Sequence, residues 1–353
     1  MGQVIVFAEP RRLVIEEADE RPLAADEVRL RTLYSGISAG TELTAYRGSN
    51  PYLHKRWDDE RRLFVPDSET SLRFPVVGVG YEECGEVVEV GPAVARVQVG
   101  DRIYGTWGHR THHILAEELA VRRILPPTLD PILGIFSQMG AIALNGILDA
   151  AIRIGETVAV FGLGAPGQII AQLAKRSGAR VVAVEPIELR RRVASDLGAV
   201  DEAISPAEGS VAEQIRALTD GRGADVCIEA TGAYPALHEA IRSAAYSAKV
   251  VTLGFFQGPG QGLFLGEEFH HNRVNVVCSQ ISGVSPELTY RWNRERLIQT
   301  AMQLQVEGAL TLRPLITQVL PFAEAAEAFR LCDEEPERTI QVVLDCSASA
   351  GPS

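Results

Sequence analysis

The feature that most constrains this chain is the run Gly162-Leu163-Gly164-Ala165-Pro166-Gly167. It sits between a buried-strand pattern, TVAVFG, and a helical one, GQIIAQLAKRSG. The first glycine permits the tight turn, the second lets the backbone approach a pyrophosphate, and the third allows close helix–strand packing. The helix that follows adds free N–H groups and the positive end of its dipole. Glu185 closes the next strand, RVVAVE, at about the ~20-residue separation of an acid that meets an adenosine ribose. A carboxylate there accepts from the ribose hydroxyls and repels a 2′-phosphate, which favours NAD over NADP. Arg190, Arg191 and Arg192 are the residues that could hold a 2′-phosphate instead. No GK[ST] follows the glycines, so a P-loop is excluded.

The rest of the chain divides around this motif. From Met1 to about Leu125, short alternating or β-branched runs such as QVIVF, EVRLRTLYSG and CGEVVEVG are broken by Gly, Pro and Asp, the texture of an antiparallel β domain. Beyond PPTLDP, strand and helix patterns alternate, which implies a parallel sheet with helices on both faces. Two amphipathic stretches, RERLIQTAMQLQVEG and FAEAAEAFRLCDEE, precede a closing strand, TIQVVLD. An α/β unit is thus expected between a β-rich N-terminal part and a short C-terminal return. Its 353 residues suffice for two cores.

Composition narrows the partners. A net charge of −12 disfavours nonspecific nucleic-acid or anionic-membrane binding. The five cysteines, Cys84, Cys227, Cys278, Cys332 and Cys346, are scattered without CxxC spacing, which suits a reducing compartment. The start, MGQVIVFAEPRR, lacks a signal-peptide pattern, and no apolar stretch is expected to reach the ~18 residues of a membrane span. A cytoplasmic protein with a small-molecule ligand is the expectation.

On GISAGTEL with Arg47-Gly48, GYEECGEVVEVG, VQVGDRIYG, GLGAPGQ with Glu185, IEATG and VVTLG, the chain resembles the medium-chain dehydrogenase/reductase superfamily. That superfamily includes the zinc alcohol dehydrogenases. The resemblance implies a GroES-like β-rich catalytic domain (1–140), a Rossmann doubly wound domain (141–282), a return to the first domain (283–353) and catalysis in the cleft between them. It also implies a homodimer. The cofactor contacts carried over are Gly162, Gly164, Ala165, Pro166, Gly167, Glu185, Arg190, Thr231 and Gly254.

The departures concern zinc. Where the family has a Cys, a His and a Cys or Glu, this chain has Ser38 (or Ala39), Tyr81 and Gln138. Hydroxyl, phenol and amide are poor zinc ligands beside thiolate and imidazole, and the four-cysteine structural lobe is missing. A zinc-free member with no metal is expected. SGIS-x-GTE followed by GYE resembles the branch containing bacteriochlorophyllide dehydrogenase. The segment YLHKRWDDERRLFV intervenes between those motifs here, so the tetrapyrrole substrate is not carried over.

Without a metal, a hydrogen-bond donor or general base must manage the hydroxyl proton. Tyr81 occupies the position of the zinc histidine, with Glu82 beside it and His109 in the cluster GHRTHHIL; these three are the catalytic candidates. A strand through His112 and His113 would put them on opposite faces, against a three-histidine metal site. Ser38, Thr41, Tyr52, Lys55, Trp57 and Gln138 are the substrate-contact candidates. The expected activity is hydride transfer between NAD(H) and the secondary alcohol or ketone of a polar small molecule such as a sugar or cyclitol. The alternatives are an NADPH-dependent quinone or enone reductase, and a non-catalytic dinucleotide-binding sensor.

Overall fold

The protein is described by a computed structural model covering residues 2–66 and 69–347. It divides into two compact units: one runs to Gln138 and resumes at Ile316, and the other is Met139–Leu315.

In the second unit, parallel strands lie in the order Glu202–Ile204, Arg180–Val184, Thr157–Phe161, Ala224–Glu229, Ala244–Thr252, Asn275–Cys278. All five residues of Thr157–Phe161 are buried. A parallel strand covered on both faces has no solvent side, which is why TVAVF reads as unbroken apolar sequence. The order reverses beside this strand, and the Gly162 turn leaves its carboxyl end, where open α/β sheets bind ligands. Helices Ala165–Arg176 and Tyr234–Ser243 connect neighbouring strands.

The first unit is β-rich. Strands Ile316–Pro321, Gln341–Asp345, Glu27–Ile37, Glu83–Val90 and Arg102–Gly105 form one sheet, with His112–Ala116 also pairing Glu27–Ile37. A smaller sheet joins Arg12–Ala18, Gly2–Glu9 and Val76–Val77. Between them, helices Ala39–Arg47 and Ala325–Glu334 pack through Phe7, Tyr46 and Phe329, whose rings meet 5.1–5.6 Å apart. That packing fixes the short helix that carries Glu42.

Two expectations change. The chain re-enters the first unit at Ile316, not at residue 283. Helix Arg294–Val306 stays with the α/β unit, because Ala301 packs on Gly140 so closely that a Cβ on the glycine would lie 2.8 Å from that of Ala301. And among the described residues one helical run, Pro131–Ala150, is long and apolar enough to cross a membrane; 78% of its most apolar 18-residue stretch is buried inside the protein, as in a core helix.

Candidate active site

The glycine turn has the shape of a cradle. Gly162 adopts φ +91°, and a Cβ there would strike the Thr231 methyl at 2.5 Å. A Cβ on Gly167 would stand 1.9 Å from the Gly162 carbonyl oxygen. On Gly164 it would meet nothing nearer than Pro166 Cδ at 3.9 Å. Two glycines are therefore demanded by the protein's own packing, while the middle one faces open space. Gly164 also caps helix Ala165–Arg176 without a side-chain bond, leaving the first N–H groups free. These residues fit a dinucleotide's pyrophosphate.

Glu185 is buried and already engaged: its oxygens accept from the Leu163 N–H (2.7 Å) and the Ile187 N–H (2.9 Å), with Arg190 3.9 Å away. It ties the glycine turn to the next helix. Thr231 and Gly254 come together through Glu229, a residue the sequence reading passed over. The Thr231 hydroxyl and N–H and the Gly232 N–H donate to the Glu229 carboxylate, and the Gly254 N–H donates to its carbonyl. Burial raises the pKa of Glu229 despite those bonds.

In the first unit, strand Glu27–Ile37 runs into Ser38, the cap of helix Ala39–Arg47. Glu42, one turn on, reaches back to accept the Ser38 N–H at 2.9 Å. The Ser38 hydroxyl bonds the Tyr81 hydroxyl, which also donates to Thr41 Oγ1 at 3.2 Å. Glu82 is fully buried; Gln341 Nε2 donates to its Oε2 at 3.0 Å, and its Oε1 has no hydrogen-bond partner. Burial, then Glu42 and Glu83, push the Glu82 carboxyl well above its ordinary value. Burial and the nearby Glu82 also raise Tyr81, so its phenol stays neutral at physiological pH.

His109 does not face solvent. It is 1% exposed, with Nε2 2.5 Å from Glu42 Oε2 and Nδ1 2.7 Å from Ser35 Oγ. Ser35 is the cross-strand partner of Glu83 and donates to its Oε1 at 3.1 Å. Gly80 makes room for this: its φ is +101°, and a Cβ would come within 2.9 Å of His109 Cε1. The links from Glu42 to His109 and from Ser35 to Glu83 have no signature in the sequence, because folding alone brings such distant residues together. His112 and His113 begin a strand and part as expected, His112 meeting Glu20 and His113 stacking on Trp107.

Of the remaining candidates, Gln138 is buried in helix Phe136–Ala150. Tyr52 and Trp57 pack on Phe64 in a separate aromatic cluster on the hairpin Arg56–Asp58/Leu63–Val65, beside the exposed Lys55. Among the described residues, no group of three or more His, Cys, Asp or Glu side chains is arranged to hold a metal ion. The donors at Ser38, Tyr81 and Gln138 do not fit zinc, since a neutral phenol, an alcohol and an amide supply no anionic or imidazole ligand.

Residues 165–294 match the family described as zinc-binding dehydrogenase. D-guloside 3-dehydrogenase of Escherichia coli (strain K12) is 32% identical over 346 residues, 96% of this chain and 98% of that protein. (R,R)-butanediol dehydrogenase of Bacillus subtilis (strain 168) is 26% identical over 339 residues, covering 89% and 90%. Among solved structures, 2R,3R-butanediol dehydrogenase from Bacillus subtilis superposes with a TM-score of 0.76 at 22% identity, covering 98% of this chain and 99% of that one. Galactitol-1-phosphate dehydrogenase from Escherichia coli gives 0.75 at 19%, covering 97% and 99%. The fold, the glycine cradle and a relative matched almost end to end agree: this chain belongs to the medium-chain dehydrogenase/reductase superfamily, within the zinc-binding dehydrogenase family, and is an oxidoreductase.

Proposed function

We propose that the protein interconverts a secondary alcohol and a ketone on a polar small molecule, a sugar or cyclitol, using NAD and no zinc. The observation that carries this reading is the Ser38–Tyr81 hydroxyl pair beside the buried Glu82, at the positions where the family places metal ligands. NAD supplies the hydride acceptor when bound. Gly164 and the helix start at Ala165 would hold its pyrophosphate, and Glu185 with Arg190 its adenosine ribose.

Tyr81, kept neutral by its surroundings, serves as a hydrogen-bond donor to the substrate oxygen rather than as a base. Glu82 is the proton acceptor: burial, with Glu42 and Glu83 nearby, raises its pKa well above the ordinary value, which makes its carboxylate a stronger base. The sugar class is supported by the relative whose name states oxidation at position 3 of a D-guloside.

The test is Tyr81→Phe, assayed over a panel of sugars and cyclitols with NAD and NADP. Turnover should fall about 100-fold or more while NAD affinity holds. Unchanged turnover removes the role given to Tyr81. Stoichiometric zinc in the active protein overturns the metal-free reading, and activity confined to enones with NADPH overturns the alcohol chemistry.

A further inference from the structure

Hydrogen-bond bookkeeping around His109 leads beyond the residues that handle the proton. Once Glu83 is ionised, above about pH 7, both its oxygens accept, one from the Trp107 N–H (2.7 Å) and one from the Ser35 hydroxyl (3.1 Å). Ser35 has then spent its only proton, so at the 2.7 Å contact with His109 it must accept, and Nδ1 carries a hydrogen. On the other side, Nε2 stands 2.5 Å from Glu42 Oε2. Two lone pairs cannot face each other at that distance, so one proton lies between them, and it resides on Nε2 because imidazole is the stronger base of the two. The charged groups facing the ring are Glu42, from helix Ala39–Arg47, and Glu83, from strand Glu83–Val90. Strand Glu27–Ile37 contributes only the Ser35 hydroxyl, and helix Ala325–Glu334 the edge of Phe329 at 5.7 Å.

We propose that His109 is a positioning residue, held as an imidazolium between Glu42 and Glu83, and not a carrier of the substrate's proton. It locks Glu42 Oε2, which leaves Oε1 aimed at the Ser38 N–H. The Ser38 hydroxyl is thereby presented to Tyr81 in one geometry. The buried cation also offsets the negative charge of Glu42, which otherwise raises the pKa of both Tyr81 and Glu82. Burial alone would lower the pKa of His109, yet Glu42 and Glu83 together leave it raised, in keeping with this assignment.

The role of Ser38 and Tyr81 is taken from the proposed function, but the protonation state of the ring is not, and the two are tested separately. In the full-length protein labelled with 15N-histidine, one imidazole should show both nitrogens protonated from about pH 7 to pH 8, outlasting an ordinary histidine. His109→Gln should remove that signal. A ring nitrogen of His109 without a proton at pH 7 overturns the proposal, whatever Tyr81→Phe does to turnover. In kinetics, His109→Gln should lower kcat about 100-fold through misplacement of Ser38 and Tyr81, with KM within about twofold. It should also move the acidic limb of the kcat/KM profile to higher pH, because Glu42 is left without its counter-charge and raises Glu82 further. Glu42→Gln, nearly isosteric, is the second variant should His109→Gln fail to fold. It should also lower kcat, since one amide cannot accept from both Ser38 and His109, but it should move the profile to lower pH. An unchanged kcat in a folded variant, or a profile that does not move, overturns the positioning role.

Discussion

At the scale of single residues, the three glycines of the cradle answer to different demands, and two substitutions separate them. The Gly167 position has no room, since an added Cβ would lie 1.9 Å from the backbone oxygen of Gly162. Backbone cannot yield as a flexible side chain does, so Gly167→Ala must displace either the turn or the helix. Gly164→Ala adds its methyl to open space, and only a ligand lying against that backbone would notice it. Gly167→Ala should therefore lower stability by about 1–3 kcal/mol, read from denaturant midpoints. Gly164→Ala should leave the midpoint unchanged and weaken dinucleotide affinity at least tenfold, measured by calorimetry. Equal affinity in Gly164→Ala and wild type would place the pyrophosphate elsewhere.

At the scale of elements, helix Arg294–Val306 shows how a polar residue fixes a boundary. Asn293 caps it, accepting the Arg296 N–H at 2.9 Å. Asn293→Ala should cost about 1 kcal/mol and Asn293→Asp nearly nothing, again by denaturant midpoint; equal losses would discount the cap. The elements most visible in the sequence were those with the most burial. Thr157–Phe161 lies mid-sheet and spells an almost unbroken apolar run, Ala224–Glu229 beside it is nearly all buried, and the amphipathic helices repeat over several turns. Strand Glu202–Ile204 is three residues at a sheet edge and helix Val211–Ala217 is seven, too short for periodicity to register. The site divides in the same way. The family resemblance set Ser38 and Tyr81 side by side, and their hydroxyls meet. The Glu42–His109 and Ser35–Glu83 contacts were not legible, because strand register and a packed helix create them, and neither is written in local sequence.

At the scale of the whole molecule, the site's carboxylates make stability depend on pH in the sense opposite to surface ion pairs. A surface acid such as Glu27, half-buried and held down to about 2 by Arg21 and the Ala24 N–H, favours the native state once it is ionised. Glu83 behaves in reverse. Burial raises it to about 7, against the pull of His109 and the Trp107 N–H, while the unfolded chain ionises it near 4.5. Between those values the native protein binds more protons than the unfolded chain, so stability falls as pH rises through that window. His109, also raised, acts in the same direction, but it remains in a Glu83→Gln variant, as do the surface acids. The difference between wild type and Glu83→Gln thus reports Glu83 together with the part of the His109 shift that Glu83 causes, and both act in the same direction. Measured as Tm in matched buffers, wild type should stand highest relative to the variant at and below about pH 4.5. That advantage should shrink steadily up to and through about pH 7. A difference that grows across the same window would mean that the buried network stabilises the charged form of Glu83 more than burial penalises it.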